Sequence, residues 1–117
     1  MCLVRLESIL NEFGGPNHVA NYCDAPIIAD TVNNVVNYEI SYYYIGHFSK
    51  FIRPGSIRIA SSSFTDQLET AAFKTPDSKI ILIVLNRTED TIGFNLRYNG
   101  MLSEIKSLPH SIMTLIF

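Results

Sequence analysis

The histidines and cysteines are the first side chains of this 117-residue chain to test for metal or nucleophile–base chemistry: His18, His47 and His110, with Cys2 and Cys23. The three histidines share no ligand spacing and have no adjacent cysteine or carboxylate pair, so no metal and no other cofactor is expected. His47 and Ser49 stand two residues apart, but nothing in their context sets a nucleophile beside a base. His47 reads instead as a hydrogen-bonded structural residue. Gly14-Gly15 lacks the GxGxxG or GK[ST] surroundings of a phosphate-cradling loop and reads as a tight bend. Asn86-Arg87-Thr88 satisfies the N-glycosylation pattern, yet it ends an apolar run, and whether it carries a glycan is open at this point. Cys2 and Cys23 could pair, although two free thiols is the expectation.

These residues must be positioned by elements, and the first stretch offers few. Residues 11–41 form a long irregular segment in which Pro16 and Pro26 prevent any long helix, and only IIAD and VNNVV hint at short strands. Within it, GGPNHVANYCDAPIIADT is too polar for a core strand and too rich in Gly, Pro and Asn for a helix. So long an irregular run signals either function or a missing neighbour. Next, Tyr44, Phe48 and Phe51 fall at helical spacing with Ile45 and Ile52 beside them, which predicts a helix from about Tyr42 to Arg53, stopped by Pro54 and Gly55. Tyr42 to Tyr44 are consecutive, about 100° apart on a helix, and so cannot make one flat stacking platform for a sugar.

Beyond Gly55 the apolar period falls to two. SIRIA and TIGFNLRY alternate, each with one wet face, whereas KIILIVL is apolar on both faces and fits a central strand. LETAAFKT precedes it across the turn residues Pro76 and Asp77, NRTED makes the next turn, and Asn99-Gly100 is a strong type I′ hairpin signal. With SEIK and IMTLIF as closing strands, the fold expected is mainly β: an antiparallel sandwich preceded by a long loop and one helix.

Composition narrows the function classes. Charged residues make up 17% and hydrophobic residues 47%, a globular balance. Nine basic residues are scattered singly against eleven acidic ones, for a net charge of −2, so the clustered footprint that nucleic acid requires is lacking. Arg5 and Glu7 interrupt the apolar run of MCLVRLESIL, which is not expected to act as a signal peptide, and no window is long and apolar enough to span a bilayer.

Three blocks, GGPNHVANYCDAPIIADT, YYYIGHFSKFIRPGSIRI and IILIVLNRT, closely resemble the C-terminal part of the glucosylceramidases (acid β-glucosidases) of glycoside hydrolase family 30, over about Phe13 to Phe117. The resemblance implies a (β/α)8 barrel with an associated β-sandwich. Residues 1–11 then form a divergent N-terminus, 12–55 a remnant of the barrel (the loop after its last strand and its last helix), and 56–117 the C-terminal sandwich. A loop following a barrel strand lies at the face where such barrels assemble their active sites. By resemblance, Asn21 and Tyr22 are substrate-binding: an amide exchanges hydrogen bonds with sugar hydroxyls and an aromatic ring covers an apolar sugar face. The alternative for Asn21 is that it satisfies backbone groups of its own loop.

The family retains anomeric configuration with two Glu residues about 5 Å apart, an acid/base and a nucleophile on different barrel strands. Glu7, Glu12, Glu39, Glu69, Glu89 and Glu104 match neither position, so no catalytic residue is expected here. The resemblance implies, for the intact family, a glucosylceramide or glucoside substrate, a saposin-type activator, membrane lipid and a lysosomal setting. For this chain it implies a fragment that needs the missing barrel portion and is inactive alone. The rival expectation is a non-catalytic β-sandwich module that binds a carbohydrate or a protein partner.

Overall fold

The structure, a computed structural model, describes residues 8–15 and 24–117, which group into two compact units that meet within the single helix, at Gly46 and His47. In the first unit, β1 (Ile9–Asn11) pairs in parallel with β2 (Ile27–Asp30), and β2 pairs antiparallel with β3 (Val35–Tyr38). These are the strands hinted at by IIAD and VNNVV, with β1 in addition. Asn34, at φ 56°, turns the β2–β3 hairpin in the left-handed region that Asn tolerates well. The helix α1 (Ile40–Phe51) begins two residues earlier than its apolar spacing suggests. Its first turn is already closed by the Tyr42 amide donating to the Glu39 carbonyl at 3.0 Å.

The second unit is the sandwich. One layer is a four-stranded antiparallel sheet in the order β4 (Ile57–Ile59), β5 (Leu68–Lys74), β6 (Ile80–Asn86), β9 (Ser111–Ile116). The other is the hairpin β7 (Ile92–Tyr98) and β8 (Met101–Ser107), inserted in sequence between the neighbouring strands β6 and β9. KIILIVL is central, as its two apolar faces require: β6 is hydrogen-bonded on both sides, and Val84 is 0% exposed. Asn99 and Gly100 take φ of 48° and 78°, the two positive values that a type I′ turn needs.

Register puts Leu68 and Ala72 of β5, Leu82 and Val84 of β6, and Met113 and Leu115 of β9 on one face, which packs on Ile92, Phe94 and Leu96 of β7. On the opposite face, the Phe73 ring meets the ring of Phe48 edge-on, with centroids 6.5 Å apart, and Thr114 meets His47. Gly55, at φ 88°, turns the chain from α1 into β4 where a Cβ would lie 3.1 Å from the Pro76 ring.

The apolar stripe of α1 is left largely uncovered. No residue of the helix is buried, and Tyr43, Ile45 and Phe48 are among its exposed large side chains. Periodicity specifies that a face is apolar; it does not specify that the covering surface belongs to the same 117 residues.

Candidate functional site

The loop that raised the functional question leaves β1 through a turn built by Asn11. Its Oδ1 accepts from the amides of Phe13 (3.0 Å) and Gly15 (2.7 Å), while its backbone N–H donates to the Gly15 carbonyl at 2.8 Å. Gly14, at φ 71°, supplies the left-handed step, so the glycine pair is the tight bend that its sequence suggests. Glu12, the next residue, reaches across the sequence to β2: its carboxylate accepts from the Thr31 amide at 2.9 Å and the Thr31 hydroxyl at 2.7 Å. Those two bonds hold the Glu12 carboxyl below its ordinary range. Asp30 next door accepts from the side chain and amide of Asn33 and is likewise lowered.

Because β1 and β2 run parallel, the connection between them must leave one end of the pair and return to the other. The Asn11 turn and the Glu12–Thr31 clamp therefore fix where that crossover starts. Asn21 and Tyr22 fall on the crossover but lie outside the described residues, as do His18, Cys2 and Cys23. The clamp itself was not legible in the sequence, since its partners are 19 residues apart with no local spacing to betray them.

The second candidate feature is a cleft of about 620 Å³ within the sandwich. Contacts place β8 against β6 and β9, so β7 is the edge strand of its layer on the side toward β5 and β4. Beside β7 the inner face is left uncovered, and the cleft is walled by Ile59, Leu68, Ala72, Leu82, Phe94 and Leu96. At its rim Phe64 is 103% exposed. Its walls offer no grouping of His, Cys, Asp or Glu for acid–base or metal chemistry, and no such metal-holding group occurs among the described residues. Of the described glutamates, Glu12 feels a second carboxylate, that of Asp30, whose charge works against the lowering by Thr31. Glu69 of β5 bonds to Arg87 at 2.9 Å and Glu89 to His110 at 3.0 Å, both pairs exposed.

His47 is the hydrogen-bonded structural residue its context suggests: Nδ1 lies 2.8 Å from the Thr114 hydroxyl. The glycosylation pattern has a less expected setting. Asn86 is fully buried at the corner where the chain leaves β6. Its Nδ2 donates to the carbonyls of Asp90 (2.8 Å), Leu108 (2.9 Å) and Ser107 (3.3 Å), and its Oδ1 accepts from the amide and hydroxyl of Thr88.

Comparison with known proteins supplies the context. The chain is 45% identical over 89 residues to the lysosomal acid glucosylceramidase of Mus musculus, an alignment covering 74% of this chain and 17% of that protein. It is 34% identical over 116 residues to putative glucosylceramidase 1 of Caenorhabditis elegans, covering 93% of this chain and 22% of that one. Among solved structures, SrfJ from Salmonella typhimurium superposes with a TM-score of 0.87 at 35% identity, covering 94% of this chain and 25% of SrfJ. This chain thus spans about a fifth of the length of the curated relatives it matches. With residues 55–115 matching the glycosyl hydrolase family 30 beta sandwich domain and residues 4–52 that family's TIM-barrel domain, the chain belongs to glycosyl hydrolase family 30.

Proposed function

We propose that this chain is the C-terminal portion of a glucosylceramidase-like retaining β-glucosidase, which as a whole cleaves glucosylceramide with water to glucose and ceramide. The observation that carries this reading is one of proportion: 93% of the chain aligns with a putative glucosylceramidase of which it spans only 22%. Retaining hydrolysis needs two carboxylates about 5 Å apart, and none of the glutamates of this chain corresponds to either. The acid/base and the nucleophile belong to the remainder of the barrel, and the chain by itself is inactive.

In this reading residues 12–55 are the barrel remnant, 56–117 the sandwich, and 1–11 a divergent lead-in. Asn21 and Tyr22, on the crossover after β1, line the glucose pocket at the mouth of the barrel, Asn21 by hydrogen bonds to hydroxyls and Tyr22 by ring contact. The exposed apolar side chains of α1 face the rest of the barrel. A saposin-type activator, a lipid surface and a lysosomal setting belong to the whole enzyme.

The experiment is size-exclusion chromatography of the purified chain, with near-ultraviolet circular dichroism and a fluorogenic β-glucoside assay on the same fractions. An associating chain without turnover is the expected result; β-glucoside hydrolysis by the purified chain would overturn the reading. One observation favours a second reading, a non-catalytic module: the cleft beside β7 has the volume of a small-molecule site. That reading requires a compact, cooperatively folding monomer in the same experiment.

A further inference from the structure

We propose that the tip of the β7–β8 hairpin is a site of spontaneous covalent modification: Asn99 loses its side-chain amide to attack by the Gly100 nitrogen, and the isoaspartyl product undoes the turn that Asn99-Gly100 builds. In the first step the Gly100 nitrogen bonds to Asn99 Cγ and the Cγ–Nδ2 bond breaks. Ammonia leaves, carrying the Gly100 amide proton, and a cyclic imide remains. One water then opens the ring, and the bond to the Gly100 nitrogen breaks at whichever carbon takes the water up. Addition at Cγ restores the ordinary main chain as aspartate. Addition at the Asn99 carbonyl carbon leaves the main chain running through the side chain, as isoaspartate.

The attack needs an asparagine whose next residue leaves the nucleophilic nitrogen unshielded, and Asn99 is the only asparagine of the sequence followed by glycine. Both residues of the tip are exposed, and a Cβ built on Gly100 would meet nothing within 4 Å. The ladder closes on the Tyr98–Met101 pair just inside the tip, so the Gly100 amide makes no hydrogen bond among the described residues. Other turn asparagines are held or shielded: Asn33 Nδ2 donates to Asp30 at 2.7 Å, Asn34 precedes the β-branched Val35, and Asn86 is buried with both ends of its amide bonded. The consequence follows from the turn. Asn99 and Gly100, at φ 48° and 78°, form a two-residue connection that fixes the register of β7 on β8. Isoaspartate adds a carbon to that connection, so Tyr98 and Met101 no longer meet in register and Tyr98 leaves the Phe117 ring, whose centroid lies 5.0 Å from its own. Aspartate brings the same new charge but keeps the main chain, and Asp-Gly suits the same turn.

The test incubates the full chain in mildly alkaline buffer, separates the products by ion exchange, and locates the modified residue by peptide mass spectrometry, with an isoaspartyl-specific methyltransferase as probe. Asn99 is expected to react at least about tenfold faster than every other asparagine. The Asn99→Gly chain, whose Gly-Gly pair keeps the turn, loses this reaction. The isoaspartyl fraction melts at a lower temperature than the unmodified chain, while the Asn99→Asp chain melts with the unmodified one. Another asparagine reacting first would overturn the proposal, as would undiminished deamidation of the Asn99→Gly chain. So would equal melting of the isoaspartyl and unmodified chains, because the turn would then tolerate the longer main chain.

Discussion

Asn86 is the residue on which most of the sandwich corner depends. It ties the exit of β6 to the turn at Asp90 and to the end of β8 with five hydrogen bonds, all made by one buried side chain. Replacing it by Ala leaves buried carbonyls unpaired, and Asn86→Ala is expected to cost about 3 kcal/mol or more, measured as a shift in the urea midpoint. Ser78 presents the opposite case. It holds φ at 65° in the β5–β6 turn, a conformation that costs an L-residue about 1 kcal/mol. Ser78→Gly should raise stability by about that amount; a fall would show that the serine side chain contributes something its geometry does not reveal. Three carboxyls carry pH dependence. Hydrogen bonds from Thr31 to Glu12, from Asn33 to Asp30, and from the Thr75 hydroxyl and Lys79 to Asp77 hold each below its ordinary value of 4.5 or 3.8. A lowered folded value stabilises the fold above the unfolded value, and this contribution disappears as pH falls through the folded one. The turns should therefore be intact at pH 5 and loosen below about pH 4. The Thr31 amide shift followed by NMR will report this at Glu12, and Glu12→Gln should abolish that inflection.

At the scale of elements, local chemistry was legible wherever it was strong and one-dimensional. The run IILIVL had to be central because an edge strand could not bury both faces, and Asn99-Gly100 had to be a hairpin because few other pairs accept two positive φ values. What the sequence hid was either non-local or carried by unusual residues. Ser78 and His110 turn the chain at positive φ without a glycine to announce it, and β1 is three residues long with a parallel partner across a crossover. The Glu12–Thr31 clamp is of the same kind, and Asn21 and Tyr22 could be proposed for a sugar pocket only through resemblance. The core prediction belongs here: Leu82 sits between β5 and β9 on the inner face, so Leu82→Ala should cost about 2–5 kcal/mol by calorimetry or urea melt. The same change at Leu102, exposed near the tip of the β7–β8 hairpin, should be nearly silent.

For the whole molecule, the informative contrast is between its two units. The sandwich unit has a defined buried core, whereas in the first unit only Leu10 and Ala25 are buried apolar residues among those described. Val32, Val35, Val36, Tyr38, Ile40 and Tyr43 are exposed within one short stretch, a density of apolar surface that isolated soluble domains rarely show. This surface predicts concentration-dependent association of the chain at neutral pH, read by light scattering. Replacing Val35 and Tyr43 with Lys should reduce it without lowering the melting temperature of the sandwich.

The insertion of the β7–β8 hairpin between two strands that are neighbours in space has a consequence for synthesis on the ribosome. β6 is the most apolar strand of the chain, yet one of its two edges waits for β9, which is translated only after the whole hairpin. At typical elongation rates of about 5–20 residues per second, that edge stays bare for on the order of seconds, long enough for a chaperone to find it. Nascent chains stalled with β9 still inside the exit tunnel should therefore be cut within residues 80–86 by a protease that spares the released chain.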